Sequence, residues 1–146
     1  MTAKDFFTKE EEKAIGLAIA TAESETSGEI RVHIENVCRG EVLDRAVFVF
    51  KQLNMHKTEQ RNGILIYVAV KSQKFAIIGD AGINKMVPAD FWDKIKERMQ
   101  QLFQKKEFAN GLCYGIYKAG EHLKQYFPFQ QNDKNELSDE ISYGKN

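Results

Sequence analysis

The apolar positions of this chain recur with two different periods, and each change of period marks a new element. Ile15, Ala18, Ile19 and Ala22 follow helical spacing. Thr8-Lys9-Glu10-Glu11 before them reads as a capping box, in which the Thr hydroxyl and the Glu carboxylate each satisfy an orphan amide. The spacing predicts a helix ending near Ser24, with the turn at Ser27-Gly28. From Glu29 to Glu35 the period falls to two. Ile30, Val32 and Ile34 face one way, while Glu29, Arg31, His33 and Glu35 face the other, which predicts a half-buried strand. The stretch from Glu41 to Leu53 is ambiguous. Ala46-Val47-Phe48-Val49-Phe50 has strand propensity, yet Leu43, Ala46, Val47, Phe50 and Leu53 fit a helical face. The segment is long for a strand, so a helix is expected.

Ile64 to Val70 is a continuous apolar run, as in a strand covered on both faces. Lys71-Ser72-Gln73 turns the chain into a return strand, Lys74 to Ile78. Gly79-Asp80-Ala81-Gly82 reads as a flexible loop, and Pro88 as the first residue of a helix with Trp92, Ile95, Met99, Leu102 and Phe103 as its stripe. A last helix, about Phe108 to Tyr126, buries Leu112, Ile116, Ala119, Leu123 and Phe127, and Pro128 ends it. Gly111, Gly115 and Gly120 inside it each cost about 1 kcal/mol against Ala, which points to close helix-on-sheet packing. The order is α-β-α-β-β-α-α. A right-handed crossover makes the first two strands parallel, and the hairpin adds the third antiparallel. The expectation is an α/β domain over residues 1–128, a small mixed β-sheet sandwiched between helices. The polar tail, 129–146, holds Leu137, Ile141 and Tyr143, and either docks on the body, adds a short edge strand or stays loose.

Composition supports one packed domain: 146 residues, 42% hydrophobic, 29% charged, two prolines and ten phenylalanines. Formal charge is zero but unevenly placed. Residues 1–30 carry three Lys against seven acids, and residues 31–128 sixteen Lys or Arg against ten acids. The basic excess lacks a stripe with interleaved aromatics, so no nucleic-acid role is expected. Cys38 and Cys113 have no metal-ligand spacing and read as reduced thiols. The N-terminus has no apolar signal region and no run is long enough to span a bilayer. A cytoplasmic location without membrane insertion is therefore the expectation.

Several short motifs together carry a family resemblance. Gly28-Glu29-Ile30-Arg31-Val32 is similar to the first-strand motif of the TPM domain family, named after a thylakoid lumen protein, a photosystem II repair protein and a worm receptor modulator. Arg61-Asn62-Gly63-Ile64-Leu65-Ile66 resembles its second-strand motif, and Ile77-Ile78-Gly79-Asp80-Ala81-Gly82-Ile83 its glycine-bearing loop. Phe108, Gly111 and Gly115-Ile116 fit the start of its last helix. The ending, Asn135-Glu136-Leu137-Ser138-Asp139-Glu140-Ile141-Ser142-Tyr143, resembles that of the short, stand-alone bacterial form. The resemblance spans roughly residues 8–127 and implies a mixed α/β sandwich. It also implies links to acid phosphatase activity, calcium binding and membrane-protein maintenance in some members.

Topology brings Glu29, Glu59, Asn62 and Asp80 to one end of the sheet, with Asn84 just beyond. Carboxylate and amide oxygens on loops suit Ca²⁺ or Mg²⁺, so an oxygen-rich cation site centred on Asp80 is one expectation. Turn capping by Asp80 and Asn62 is the other. Arg31 with His33 on the polar strand face either binds an anion such as phosphate or forms a solvated or cross-strand ladder. No cysteine phosphate loop, Walker-type loop or paired DxD occurs. Two functions remain. One is a non-catalytic or weakly catalytic accessory domain with a protein partner, acting through Phe91, Trp92, Phe127, Phe129 or the acidic tail. The other is a divalent-metal-dependent acid phosphatase using Asp80.

Overall fold

The computed structural model describes residues 3–129 and 141–144. Helix α1 (Lys9–Glu23) begins at the capping box: Glu11 N–H donates to Thr8 Oγ1 at 3.1 Å, and Thr8 N–H to Glu11 Oε1 at 2.9 Å. Strand β1 (Glu29–Glu35), helix α2 (Val42–Gln52), and the hairpin of β2 (Gly63–Ala69) and β3 (Lys74–Gly79) follow. A single helical turn, α3 (Ala81–Asn84), precedes α4 (Asp93–Gln104) and α5 (Phe108–Tyr126). Two residues of the tail form β4 (Ser142–Tyr143).

The sheet order is β3-β2-β1-β4. β1 runs parallel to β2 and to β4, and β2 runs antiparallel to β3, as the crossover and hairpin predict. One face carries Ile30, Val32, Ile34, Ile64 and Ile66 against α1, α4 and α5. The other carries Leu65, Tyr67 and Ala69 against Ala46, Val49 and Phe50 of α2. Each of the Ile, Leu, Val and Phe side chains among them contributes about 1.5–3 kcal/mol on full burial. β2 is buried at every position, which explains its unbroken apolar run.

The outer edge of β1 is closed rather than left as a pairing template. Glu23 Oε2 accepts from Ile30 N–H at 2.7 Å, and Gly144 N–H donates to Ile34 O at 2.8 Å. The tail therefore docks as a short edge strand over Ser142–Tyr143, and Tyr143 OH donates to Glu12 Oε1 at 3.2 Å. Leu137 and the acidic stretch around it lie outside the described residues.

Several expectations need correction. Pro88 does not open a helix. Residues 88–92 make separate turns, with Phe91 N–H on Pro88 O at 3.1 Å, and α4 starts only at Asp93. Phe91 and Trp92 pack edge to face at 4.7 Å, and Trp92 covers Gly79, so this stretch follows its aromatics and not the helical path. The loop expected at 79–82 is ordered into α3, with Asp80 as its N-cap. The inner face of α2 is also rotated from the expected one. Ala46, Val49 and Phe50 point inward, whereas Leu43 and Val47 are 52% and 45% exposed. The glycines of α5 serve helix-on-helix more than helix-on-sheet contact: a Cβ at Gly111 would meet Phe103 of α4, and one at Gly120 would meet Ala22 of α1. Gly115 faces both Met99 of α4 and Ile66 of the sheet. Finally, the polar face of β1 is not half-solvated. Glu29, His33 and Glu35 are all buried, because α2 and the 55–62 connection cover that face.

Candidate functional site

Parallel pairing fixes the first end of the sheet. Glu29 lies beside Gly63, and Ile64 beside Gly79, so Glu29, Asn62 and Asp80 converge there as the topology predicts. All three are buried, while Glu59 and Asn84 are exposed. Asp80 is closed by its own chain. Its Oδ2 accepts from Arg61 Nε at 2.7 Å, and its Oδ1 from Arg61 Nη2 and from Ala81 N–H, both at 2.7 Å. Asn84 Nδ2 donates to Gly79 O at 2.9 Å, which spends its amide on the same turn.

Gly82 makes that closure possible. Its N–H donates to Arg61 O at 2.8 Å, and a Cβ there would stand 2.2 Å from Gln60 O. Only glycine lets α3 approach the 60–61 backbone so closely. Asn62 accepts from Glu29 N–H at 3.3 Å and donates its own N–H to Thr58 Oγ1 at 3.3 Å. Its buried Nδ2 has no hydrogen-bond partner among the described residues. As folded, a bidentate guanidinium stands where an ion would bind Asp80. Among the described residues, no group of three or more His, Cys, Asp or Glu side chains could hold a metal ion.

The far end of β1 holds a second polar cluster, and only His33 of it was expected to have chemistry. Glu35 is fully buried there. Its Oε2 accepts from Arg45 Nε at 2.8 Å and from Tyr67 OH, and its Oε1 from Arg45 Nη2 at 2.9 Å. Oε1 also meets His33 Nε2 at 3.1 Å. His33 Nδ1 lies 2.8 Å from Ser142 Oγ. Both nitrogens of His33 are therefore taken, and Arg31 lies near enough to act on the imidazole electrostatically.

Burial alone would raise the Glu35 carboxyl. The hydrogen bonds from Arg45, Tyr67 and His33 outweigh it and hold the group at about 2. Burial pushes Tyr67 up, and the neighbouring Glu35 carboxylate adds to it. Burial lowers His33, and the guanidiniums of Arg45 and Arg31 lower it further against the pull of Glu35. At neutral pH His33 is thus uncharged. Ionised Glu35 only accepts, so it fixes the proton on Nε2 and leaves Nδ1 to accept from the Ser142 hydroxyl.

Sequence reading missed Glu35, Arg45, Tyr67 and Ser142 as a group. Its available signal was the arginine beside the inward apolar positions of α2, within reach of a carboxylate on the sheet. The aromatics expected to supply a partner surface are mostly spent: Phe127 is buried, and Phe91 and Trp92 pack on each other. Among the described residues, the large apolar side chains left exposed are Leu17, Leu43, Val47, Phe48, Met86, Tyr117 and Phe129. No described helix is long and apolar enough to cross a membrane.

Comparison with known proteins agrees with this architecture. The NMR structure of the BA42 protein from the psychrophilic bacterium Bizionia argentinensis is 50% identical, with 97% of each chain covered and a TM-score of 0.90. The solution structure of the N-terminal domain of a P. gingivalis protein shares the fold alone, at 14% identity and a TM-score of 0.68, over 84% of this chain and 80% of that one. No match is found among curated proteins. The family model described as TPM domain matches residues 1–122. With its strand register, glycine-bearing corner and helical layers accounted for, this chain belongs to the TPM domain family.

Proposed function

We propose that this protein is an accessory domain that works by binding a protein partner, and not by metal-assisted phosphoryl transfer. In the setting of its family, the process served would be membrane-protein maintenance. The observation that carries this reading is the Arg61–Asp80 pair. A metal hydrolase needs an open carboxylate to hold an ion against substrate. Here both oxygens of Asp80 are spent on a guanidinium and a helix N-terminus. Arg61 is half exposed, so a cation at Asp80 has to displace it first. The exposed apolar side chains of α2 supply contact area suited to a partner and unneeded by the core.

Hydrolysis of p-nitrophenyl phosphate from pH 4 to 8, with Ca²⁺, Mg²⁺ or EDTA, tests the reading in wild type and Asp80→Ala. The expected result is no metal-dependent turnover above a mock-purified control in either protein. Metal-dependent turnover that disappears in Asp80→Ala would overturn it and establish the phosphatase.

A further inference from the structure

The cluster at the far end of β1 has the parts of a nucleophilic hydrolase: a hydroxyl, a base that can accept its proton, and a carboxylate that orients the base. We propose that Ser142, His33 and Glu35 form such a relay and hydrolyse small acyl esters in the cleft between α2 and β4. This activity goes beyond the accessory role and needs neither Asp80 nor a metal.

Three features support the assignment. The distances are those of working hydrogen bonds, 2.8 Å from Ser142 Oγ to His33 Nδ1 and 3.1 Å from His33 Nε2 to Glu35 Oε1. The orientation is held. Arg45 and Tyr67 fix the Glu35 carboxylate, and the Tyr67 ring lies parallel to the imidazole at 6.0 Å. Hydrogen bonds at both ring nitrogens hold the imidazole facing Ser142.

The third feature is room for a substrate. A cleft of about 570 Å³ is lined by Ser142 and His33 together with Arg45, Phe48, Leu53 and Tyr143. Phe48, Leu53 and Tyr143 give it apolar walls beside Gln52 and Arg45, which suits a short acyl ester.

The steps balance without a cofactor. Ser142 Oγ attacks the ester carbonyl while its proton passes to His33 Nδ1. The tetrahedral intermediate collapses, the alkoxide leaves with the proton from His33, and an acyl-Ser142 ester remains. Water then attacks that ester and gives its proton to His33. The acid departs, and the proton returns to Ser142. Glu35 is a positioning residue: it holds the tautomer and stabilises the transient imidazolium. Glu35, Arg31, Arg45, Tyr67 and Ser142 are the charged and titratable or hydrogen-bonding groups around His33.

The test uses the full chain in EDTA. Wild-type protein is incubated with a fluorophosphonate and mapped by peptide mass spectrometry. Hydrolysis of p-nitrophenyl acetate and butyrate is followed from pH 4 to 9. One adduct on Ser142 is expected, with turnover that rises with pH to a plateau and a midpoint below 6.5, the ordinary value for histidine. Ser142→Ala and His33→Gln should each lower the rate about a hundredfold or more. Absence of an adduct at Ser142 in wild type overturns the proposal, and that result does not depend on any variant folding. Ester turnover unchanged in a folded Ser142→Ala protein overturns it as well. Failure here leaves the phosphomonoester result untouched, because that assay reads Asp80 and metal.

Discussion

Replacing Glu35 by Gln should expose how much the buried cluster contributes to the fold. The Glu35 carboxyl ordinarily titrates near 4.5 and is held at about 2 in the folded protein. A shift of that size corresponds to about 3 kcal/mol of stability at neutral pH. The folded pKa is depressed, so the contribution is complete above pH 4.5 and is lost as pH falls toward 2. Breaking the pair also strands Arg45, but its side chain is 33% exposed and can turn to water, which keeps the loss near the low end of the ~3–5 kcal/mol typical of a broken buried pair. Urea denaturation of wild type and Glu35→Gln at pH 7, 4.5 and 3 is the assay. The variant should be about 3 kcal/mol less stable at pH 7, equivalent to a fall in Tm of roughly 6–12 °C. The gap should narrow steadily below pH 4.5. A gap under about 1 kcal/mol at pH 7, or one that stays constant down to pH 3, would refute the view that ionised Glu35 organises this end of the sheet.

Two glycines should respond with opposite signs to the same substitution. Gly82→Ala places a Cβ against the carbonyls of Gln60 and Arg61 and should cost about 2 kcal/mol by urea midpoint. Gly16→Ala, in the middle of α1 with open space around it, should instead stabilise by about 0.5–1 kcal/mol. Equal effects at the two sites would count against the close approach of α3 to the 60–61 backbone. Arg61→Gln should open Asp80 to cations. Millimolar Ca²⁺ should then raise the Tm of this variant more than that of wild type, with reversal by chelator and by Asp80→Asn in the same background. An identical calcium response in the two proteins would mean that Arg61 does not guard the corner.

Local pattern determined most of the framework. The Thr8–Glu11 box set the start of α1, alternation set both ends of β1, and the apolar run at 64–70 marked a strand covered on both faces. Those signals are local because each depends on a period or on hydrogen bonds within one turn. The convergence of Glu29, Asn62 and Asp80 was also legible, since a parallel crossover followed by a hairpin brings those chain positions to one end.

What only the tertiary structure decided concerns partners distant in sequence. The apolar arc of α2 is too wide to say which part faces the sheet. Arg45 reaching Glu35 favours the rotation that buries Ala46, Val49 and Phe50 and leaves Leu43 and Val47 outside. The polar side of β1 has a clean alternating pattern, yet it is buried, because a charge can be buried when its counter-charge arrives from another element. Glu35 meets Tyr67 across 32 positions, and His33 meets Ser142 across 109. No window along the sequence spans such pairs, and they exist only once α2, β2 and β4 close around the end of β1.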